Sequence, residues 1–154
     1  MPLAWIVDDD DEMRQAIKLI LELIDYEVCI YRDARSASRD LVQGNSPDVI
    51  ILDIMMPQVT GIDMLEFMRR RSDLKQIPVV MLSSETTDVQ VDEAMELGAD
   101  AFVFKPVTVD EIRSYYRNDA RIWRSYLTVR KVDRFMHKLL GKDYPYILPG
   151  KIRR

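Results

Sequence analysis

The sequence predicts an α/β protein with a doubly wound, five-stranded parallel sheet and an extended C-terminal helical tail. Short apolar runs alternate with amphipathic stretches along about the first 120 residues. The apolar runs are continuous, which is typical of parallel strands covered on both faces. Five such β–α units predict the strand order 2-1-3-4-5, with the functional site beyond the carboxyl ends of the first and third strands, where the winding direction reverses.

Five apolar runs, rich in Val, Ile, Leu, Met and Phe, are predicted to be the strands of this sheet. They cover about residues 3–7, 28–31, 48–53, 78–83 and 101–104. Cys29 lies within the second run. We expect it to be a buried core thiol, because no second cysteine or nearby histidine could complete a metal or redox pair.

Crossover helices are predicted between the strands, because parallel strands cannot be joined by tight turns. The predicted helices are one after the acidic residues 8–10, one ending near residue 43, and others at about 61–71, at about 89–97 and from about 108 onward. Asp33 or Ser36 is expected to cap the second helix, and Gly98 is expected to end the fourth.

The composition predicts one globular domain with an appendage. The chain has 154 residues, of which 47% are apolar and 31% are charged. It contains neither a long uncharged apolar run nor a basic leader with an apolar core, so we expect a cytoplasmic protein that does not enter membranes. Residues 1–106 contain 10 Lys and Arg against 21 Asp and Glu, whereas residues 107–154 contain 12 against 5. The sequence therefore describes an acidic body and a basic tail.

Polar side chains stand at the ends of four predicted strands, namely Asp8-Asp9-Asp10, Asp53, Ser83 and Lys105. Carboxylates crowded at one sheet edge repel one another unless a divalent cation neutralises them, and an all-oxygen ligand set suits Mg²⁺. A carboxylate such as Asp53 held there can attack phosphorus as a nucleophile. The Ser83 hydroxyl and the Lys105 ammonium group are the available donors to the phosphoryl oxygens. Helix capping is the alternative role for Asp10 or Asp11.

Four motifs stand in order along residues 3 to about 118. They are Ile6-Val7-Asp8-Asp9-Asp10, residues 49–57 with Gly61 after them, residues 80–84, and residues 98–106. In this order and spacing they resemble the receiver domain of two-component response regulators. The resemblance implies a flavodoxin-like receiver of the chemotaxis-regulator type in residues 1–120, with residues 121–154 as a basic helical extension.

By this resemblance Asp53 is the phosphoacceptor. Asp8, Asp9 and Asp53 would hold Mg²⁺, or Mn²⁺ in its place, together with the backbone carbonyl of Met55. Lys105 would pair with the phosphoryl group, and a sensor histidine kinase or a phosphotransfer protein would donate it. The protein would then be no enzyme, apart from self-catalysed phosphotransfer and autodephosphorylation.

The resemblance also implies a switch. Ser83 occupies the position of the switch hydroxyl, and Phe102 that of the aromatic switch side chain. The Lys105-Pro106 bond resembles a cis peptide of the family, which would aim the lysine into the site. Phosphorylation is expected to change the surface formed by the fourth helix, the fifth strand and the fifth helix, and this surface would carry the output.

The tail is predicted to be largely helical. From Val109 onward apolar residues recur at spacings of three and four, and no Gly or Pro interrupts before Gly141. This pattern indicates a helix of about 30 residues, or two helices that meet at Leu127-Thr128-Val129. Residues 144–150 contain two prolines and indicate an irregular, extended segment. A homodimer could form through the tail helix or through the switch surface, and the alternative is that the tail packs back on its own domain.

Two alternative functions share some of these features. The basic tail with its aromatic residues could contact nucleic acid or couple to an effector, but no helix-turn-helix pattern supports DNA binding, which we do not favour. Asp8-x-Asp10 after a strand is similar to phosphohydrolases of the haloacid dehalogenase type. That pattern requires Thr or Val at position 12, where this chain has Glu12.

Overall fold

The computed structural model describes residues 1–83, 88–104 and 146–147. Its elements are β1 (Leu3–Val7), α1 (Asp11–Leu23), β2 (Glu27–Tyr31), α2 (Ala34–Val42), β3 (Val49–Asp53), α3 (Gly61–Arg70), β4 (Val79–Ser83), α4 (Asp88–Glu96), β5 (Ala101–Phe104) and β6 (Tyr146–Ile147). The predicted fifth helix, the tail helix and the division at residue 120 lie outside the described residues and stay predictions. Within the described ranges, no helix combines the length and the apolar character needed to cross a bilayer.

The sheet has the predicted topology. Strands β2, β1, β3, β4 and β5 are parallel and follow one another in this order, which confirms the order 2-1-3-4-5. A short β6 adds an antiparallel strand beside β5, pairing Ile147 with Phe102 and Tyr146 with Val103. The prediction of an irregular segment was wrong for these two residues. An open strand edge offers unpaired amide and carbonyl groups to any extended segment, and local sequence does not reveal such long-range pairing.

Two apolar cores cover the two faces of the sheet. On one face α1 packs against strand residues that include Ile6, Ile51 and Val80. On the other, α2 and α3 pack against residues that include Trp5 and Leu52. Successive residues of a strand point to opposite faces, so a strand between two helical layers must be apolar at nearly every position. This requirement explains the continuous apolar runs from which the fold class was predicted.

Helix boundaries follow the capping side chains. The Asp10 carboxylate accepts a hydrogen bond from the Met13 amide at 3.2 Å, so Asp10 has the capping role considered for it. The Asp33 carboxylate accepts one from the Ser36 amide at 2.7 Å, which confirms Asp33 as the cap of α2. After α4, Gly98 has a φ of 101°, a conformation that favours glycine and ends the helix as predicted.

Strand β2 differs from the expectation that every strand is covered on both faces. It is an edge strand of the described sheet, and its described pairing partner is β1. Glu27, Cys29 and Ile30 are exposed, with 40% of Ile30 accessible to solvent. The prediction of a buried Cys29 was therefore wrong. An apolar run indicates a strand but does not indicate whether that strand lies at the centre or the edge of its sheet.

Candidate functional site

Three of the predicted carboxylates converge at the carboxyl edge of the sheet. Asp8 follows β1 and Asp53 ends β3, and these neighbouring strands pair Val7 with Leu52. One carboxylate oxygen from each of Asp8, Asp9 and Asp53 lies within 4.8 Å of the other two. Asp8 and Asp53 are 0% and 3% exposed, whereas Asp9 is exposed. The cluster thus combines two buried carboxylates with one that solvent and a partner can reach.

The end of β1 is held by hydrogen bonds and by a buried arginine. The Asp8 carboxylate accepts a hydrogen bond from the Asp10 amide at 3.0 Å. The Asp8 carbonyl accepts one from Nη1 of Arg14 at 2.7 Å. Arg14 is buried and also pairs with the Asp11 carboxylate. Sequence reasoning missed this positioning residue. The available signal was its place on the apolar stripe of α1, three residues before Ile17.

The start of α3 packs closely against the backbone of Asp53. A Cβ atom on Gly61 would overlap the Asp53 carbonyl oxygen and would lie 2.8 Å from the carbonyl carbon. The Gly61 amide also donates a hydrogen bond to the Ile54 carbonyl at 3.0 Å. Thr60 and Asp63 form a reciprocal capping box at this helix start. Sequence reasoning identified Gly61 as a helix start but missed the close approach that requires a glycine here.

Both predicted switch residues are buried, and one of them, Ser83, stands beside the acid cluster. In the β3–β4 register Asp53 pairs with Leu82, so Ser83 stands one position further along the neighbouring strand. Ser83 is 0% exposed at the sheet edge. Phe102 is also 0% exposed and belongs to the apolar core that includes Met81. Burial of the Phe102 ring is therefore complete in this structure.

The other predicted site residues are only partly described. Met55 lies two residues after the end of β3 and has an exposed side chain, and metal coordination by its carbonyl stays a prediction. Lys105 and Pro106 lie outside the described residues, as does the predicted cis peptide between them. The structure thus brings together Asp8, Asp9, Asp53 and Ser83, the last by its place on the strand beside Asp53.

The residues of the cluster fit a divalent cation. Each offers a carboxylate oxygen, and an all-oxygen donor set of this kind matches Mg²⁺ or Mn²⁺ better than a softer metal. Three carboxylates at such short distances repel one another, and the repulsion is strongest where Asp8 and Asp53 are shielded from water. A divalent cation would offset this repulsion. The site can therefore hold a metal beside a buried, potentially nucleophilic carboxylate.

A doubly wound parallel sheet with acids at its switch point is the arrangement predicted for a receiver domain, and comparison with known proteins agrees. The family model of the response regulator receiver domain matches residues 4–117. The chain therefore belongs to the response regulator receiver family of two-component signal transduction. The fold predicted from the sequence and the resemblance to this family are both confirmed.

Curated relatives include plant and bacterial regulators. The two-component response regulator ORR7 of Oryza sativa is 38% identical over 108 residues, covering 69% of this chain and 50% of that protein. The transcriptional regulatory protein AfsQ1 of Streptomyces coelicolor is 35% identical over 107 residues, covering 70% of this chain and 46% of that protein. The chain thus spans about half the length of these two relatives. It spans 85% of the rice regulator ORR3, which is 32% identical over 111 residues.

Solved structures share the fold. Chemotaxis protein CheY4 of Vibrio cholerae superimposes with a TM-score of 0.66 at 30% identity, covering 77% of this chain and 98% of that one. Response regulator Rcp1, solved in an Mn²⁺-bound form, superimposes with a TM-score of 0.70 at 24% identity, covering 84% and 99%. The second match concerns the fold alone.

Proposed function

We propose that this receiver is a phosphorylation-controlled switch in which Asp53 accepts a phosphoryl group from a histidine kinase or a phosphotransfer protein. The supporting observation is the approach of Asp8, Asp9 and Asp53 to within 4.8 Å at the switch point of the sheet. In the transfer, an Asp53 carboxylate oxygen forms a bond to phosphorus and the bond from phosphorus to the donor imidazole nitrogen breaks. That nitrogen keeps the electron pair and is protonated.

The reaction is proposed to depend on Mg²⁺, with Mn²⁺ as a substitute. Asp8, Asp9 and Asp53 would hold the ion with the Met55 carbonyl, where it would offset their charge and coordinate a phosphoryl oxygen. The burial of Asp53 limits the water around the reacting carboxylate. Lys105 is proposed to pair with the phosphoryl group after transfer.

The output is proposed to run through the surface formed by α4, β5 and the predicted fifth helix. The new dianion would draw the Ser83 hydroxyl toward it, and this shift would repack the neighbourhood of Phe102. Because the Phe102 ring is already buried, the switch would work by repacking and not by a gain in burial. The changed surface would act in the cytoplasm through protein contacts or dimerisation.

A second candidate output is coupling to DNA or to an effector through the basic tail. It is favoured by the similarity to AfsQ1, a transcriptional regulatory protein of which this chain spans about half. Residues 107–154 contain 12 Lys and Arg against 5 Asp and Glu, which would suit a polyanionic partner. A DNA affinity that falls steeply with added salt would support this output.

Phosphorylation tests the acceptor directly. Incubation with Mg²⁺ and phosphoramidate should add one phosphoryl group, measured by intact-protein mass spectrometry, and chelation of the metal should prevent it. Asp53→Asn should not be modified. Asp10→Asn is the matched control, because asparagine keeps the helix cap beside the acid cluster, and it should be modified normally. Modification of Asp53→Asn to the wild-type extent would contradict the proposal.

Two further measurements separate the alternatives. A receiver should be phosphorylated stoichiometrically and should lose the group slowly, whereas sustained hydrolysis of a phosphate monoester would favour a phosphohydrolase of the haloacid dehalogenase type. Light scattering with and without beryllofluoride, a phosphoryl mimic, should reveal a dimer if the output surface or the tail associates. Asp53→Asn supplies the control for the mimic.

A further inference from the structure

We propose that a cleft beside the acid cluster docks an acidic surface of the protein that donates the phosphoryl group. This inference rests on the proposed function. The cleft has a volume of about 390 Å³ and lies between the segment that joins β2 to α2 and the loop between β3 and α3. Residues 57–59 line it from the loop. Three arginines line it from the other side, namely Arg32, Arg35 and Arg39. Asp9 also lines it, so the cleft adjoins the acid cluster.

The three arginines stand out against the charge of the body. Residues 1–106 contain 10 Lys and Arg against 21 Asp and Glu, and three of those 10 lie within residues 32–39. Arg35 and Arg39 are four positions apart on α2, so they lie on the same helix face. All three side chains are exposed. The result is a local positive patch on an acidic domain.

The cleft arginines differ from other arginines of the protein, which form ion pairs within the domain. Arg70 and Arg71 form ion pairs with Glu66 and Asp73. In the described part of the chain, no ion pair involves any of the cleft arginines. A surface guanidinium without such a pair keeps its donors available for an incoming carboxylate or phosphate, which it can bind with two parallel hydrogen bonds.

The carboxylate inside the cleft is already engaged. Asp33 accepts hydrogen bonds from the Ser36 amide at 2.7 Å and from the Ser36 hydroxyl at 3.1 Å, as the cap of α2. These bonds, with Arg39 nearby, hold the pKa of Asp33 below its usual range, so it stays ionised and committed to the helix. Asp9, the other acid of the cleft, belongs to the predicted metal cluster. Both carboxylates of the cleft thus have other roles, while the three exposed guanidinium groups are accessible to a partner.

The position of the cleft favours a protein over a small anion. Asp53 is not among the described residues that line the cleft, so a group seated there is not itself the group that reacts at Asp53, and we assign it to a larger molecule that also reaches Asp53. Among the described residues, those that follow β1 at this edge are acidic and exposed, namely Asp9, Asp10, Asp11 and Glu12. A donor that carries a phosphorylated histidine is repelled by this edge. Arginines next to it would offset the repulsion and orient the donor.

Charge removal tests the cleft. The cleft variant is Arg32→Gln/Arg35→Gln/Arg39→Gln. The control variant is Arg70→Gln/Arg71→Gln/Lys75→Gln, which removes the same number of charges at and after the end of α3, near the amino ends of the strands. Two phosphoryl donors are used in separate reactions. One is phosphoramidate, and the other is an autophosphorylated histidine kinase encoded in the same genome. This kinase is chosen as the one that transfers its phosphoryl group to the wild-type protein fastest. For this kinase the second-order rate constant of transfer should fall about 10- to 100-fold in the cleft variant and become less sensitive to salt. The control should change it less than about threefold.

The phosphoramidate reaction separates the outcomes. It should be unchanged in the cleft variant, since this small donor needs only the acid cluster. Equal slowing of phosphoramidate and kinase reactions would overturn protein docking and assign the arginines to the chemistry at Asp53. Transfer from the kinase to the cleft variant at the rate measured for the wild-type protein would also overturn protein docking. Failure of both donors to phosphorylate the wild-type protein would contradict the proposed function, and the inference with it.

Discussion

Strand β3 lies at the centre of the sheet with every residue buried, whereas β2 lies at the edge with Cys29 and Ile30 exposed. Both are short runs of largely apolar sequence. β3 has a paired strand on each side, so the carboxylate at its end is delivered into a shielded site. The chain after β2 instead enters an open surface that carries the cleft arginines. The central strand β3 therefore places a carboxylate in a buried site, and the edge strand β2 leads to an exposed surface.

The largest expected effect compares the same substitution in the two strands. Ile51 is 1% exposed within the core under α1, whereas Ile30 is 40% exposed. Ile51→Ala should lower the free energy of unfolding by about 3–4 kcal/mol, because a cavity adds to the lost burial. Ile30→Ala should cost less than about 1 kcal/mol. Urea unfolding followed by circular dichroism measures both, and equal losses would remove the distinction between centre and edge.

The second effect concerns the close approach at the end of β3. Gly61→Ala should cost about 1–3 kcal/mol, because the added methyl overlaps the Asp53 carbonyl and forces the backbone apart. It should also slow phosphorylation by phosphoramidate. Gly44 has a φ of 100°, and a Cβ atom added there would meet nothing within 4 Å. Gly44→Ala should therefore cost about 1 kcal/mol through its backbone conformation alone. Normal phosphorylation of Gly61→Ala would show that the acceptor backbone tolerates the shift.

A third effect is pH-dependent and belongs to the edge. The hydrogen bond from the Ser36 amide holds the pKa of Asp33 below its usual range. A lowered pKa means that Asp33 stabilises the fold at neutral pH and loses this contribution as the pH falls through the folded-state pKa. Asp33→Ala should therefore cost about 1 kcal/mol at pH 7, with the gap to wild type closing in acid. A gap that stays constant down to strongly acidic pH would contradict the ionised cap.

The smallest effect tests the exposure of Cys29. Cys29→Ser should change the free energy of unfolding by less than about 0.5 kcal/mol, because the thiol lies on the open edge strand. The folded wild-type protein should react with a chromogenic disulfide reagent at a rate near that of a free thiol. Reaction that requires denaturant would mean that the edge is covered in solution.

The sequence predicted the acid site but not the residues that hold the site in position. Asp8, Asp9 and Asp53 were predictable because parallel strands bring their carboxyl ends to one sheet edge, and continuous apolar runs identify those strands. The buried Arg14 and the approach of Gly61 to Asp53 were missed. Each depends on a contact between a helix and the end of a strand, and helical periodicity specifies only the face on which a residue lies.

By itself the sequence determined the order of the elements from β1 to β5, the order of the parallel strands and the acids at the switch point, because these follow from local periodicity and from the geometry of parallel crossovers. The resemblance of its four motifs to a known family indicated the receiver family. Only the tertiary structure decided which carboxylates are buried, that Cys29 lies on an open edge, and that three arginines share a cleft with Asp9. Burial and proximity of this kind arise from packing between segments distant in the chain, which no local pattern records.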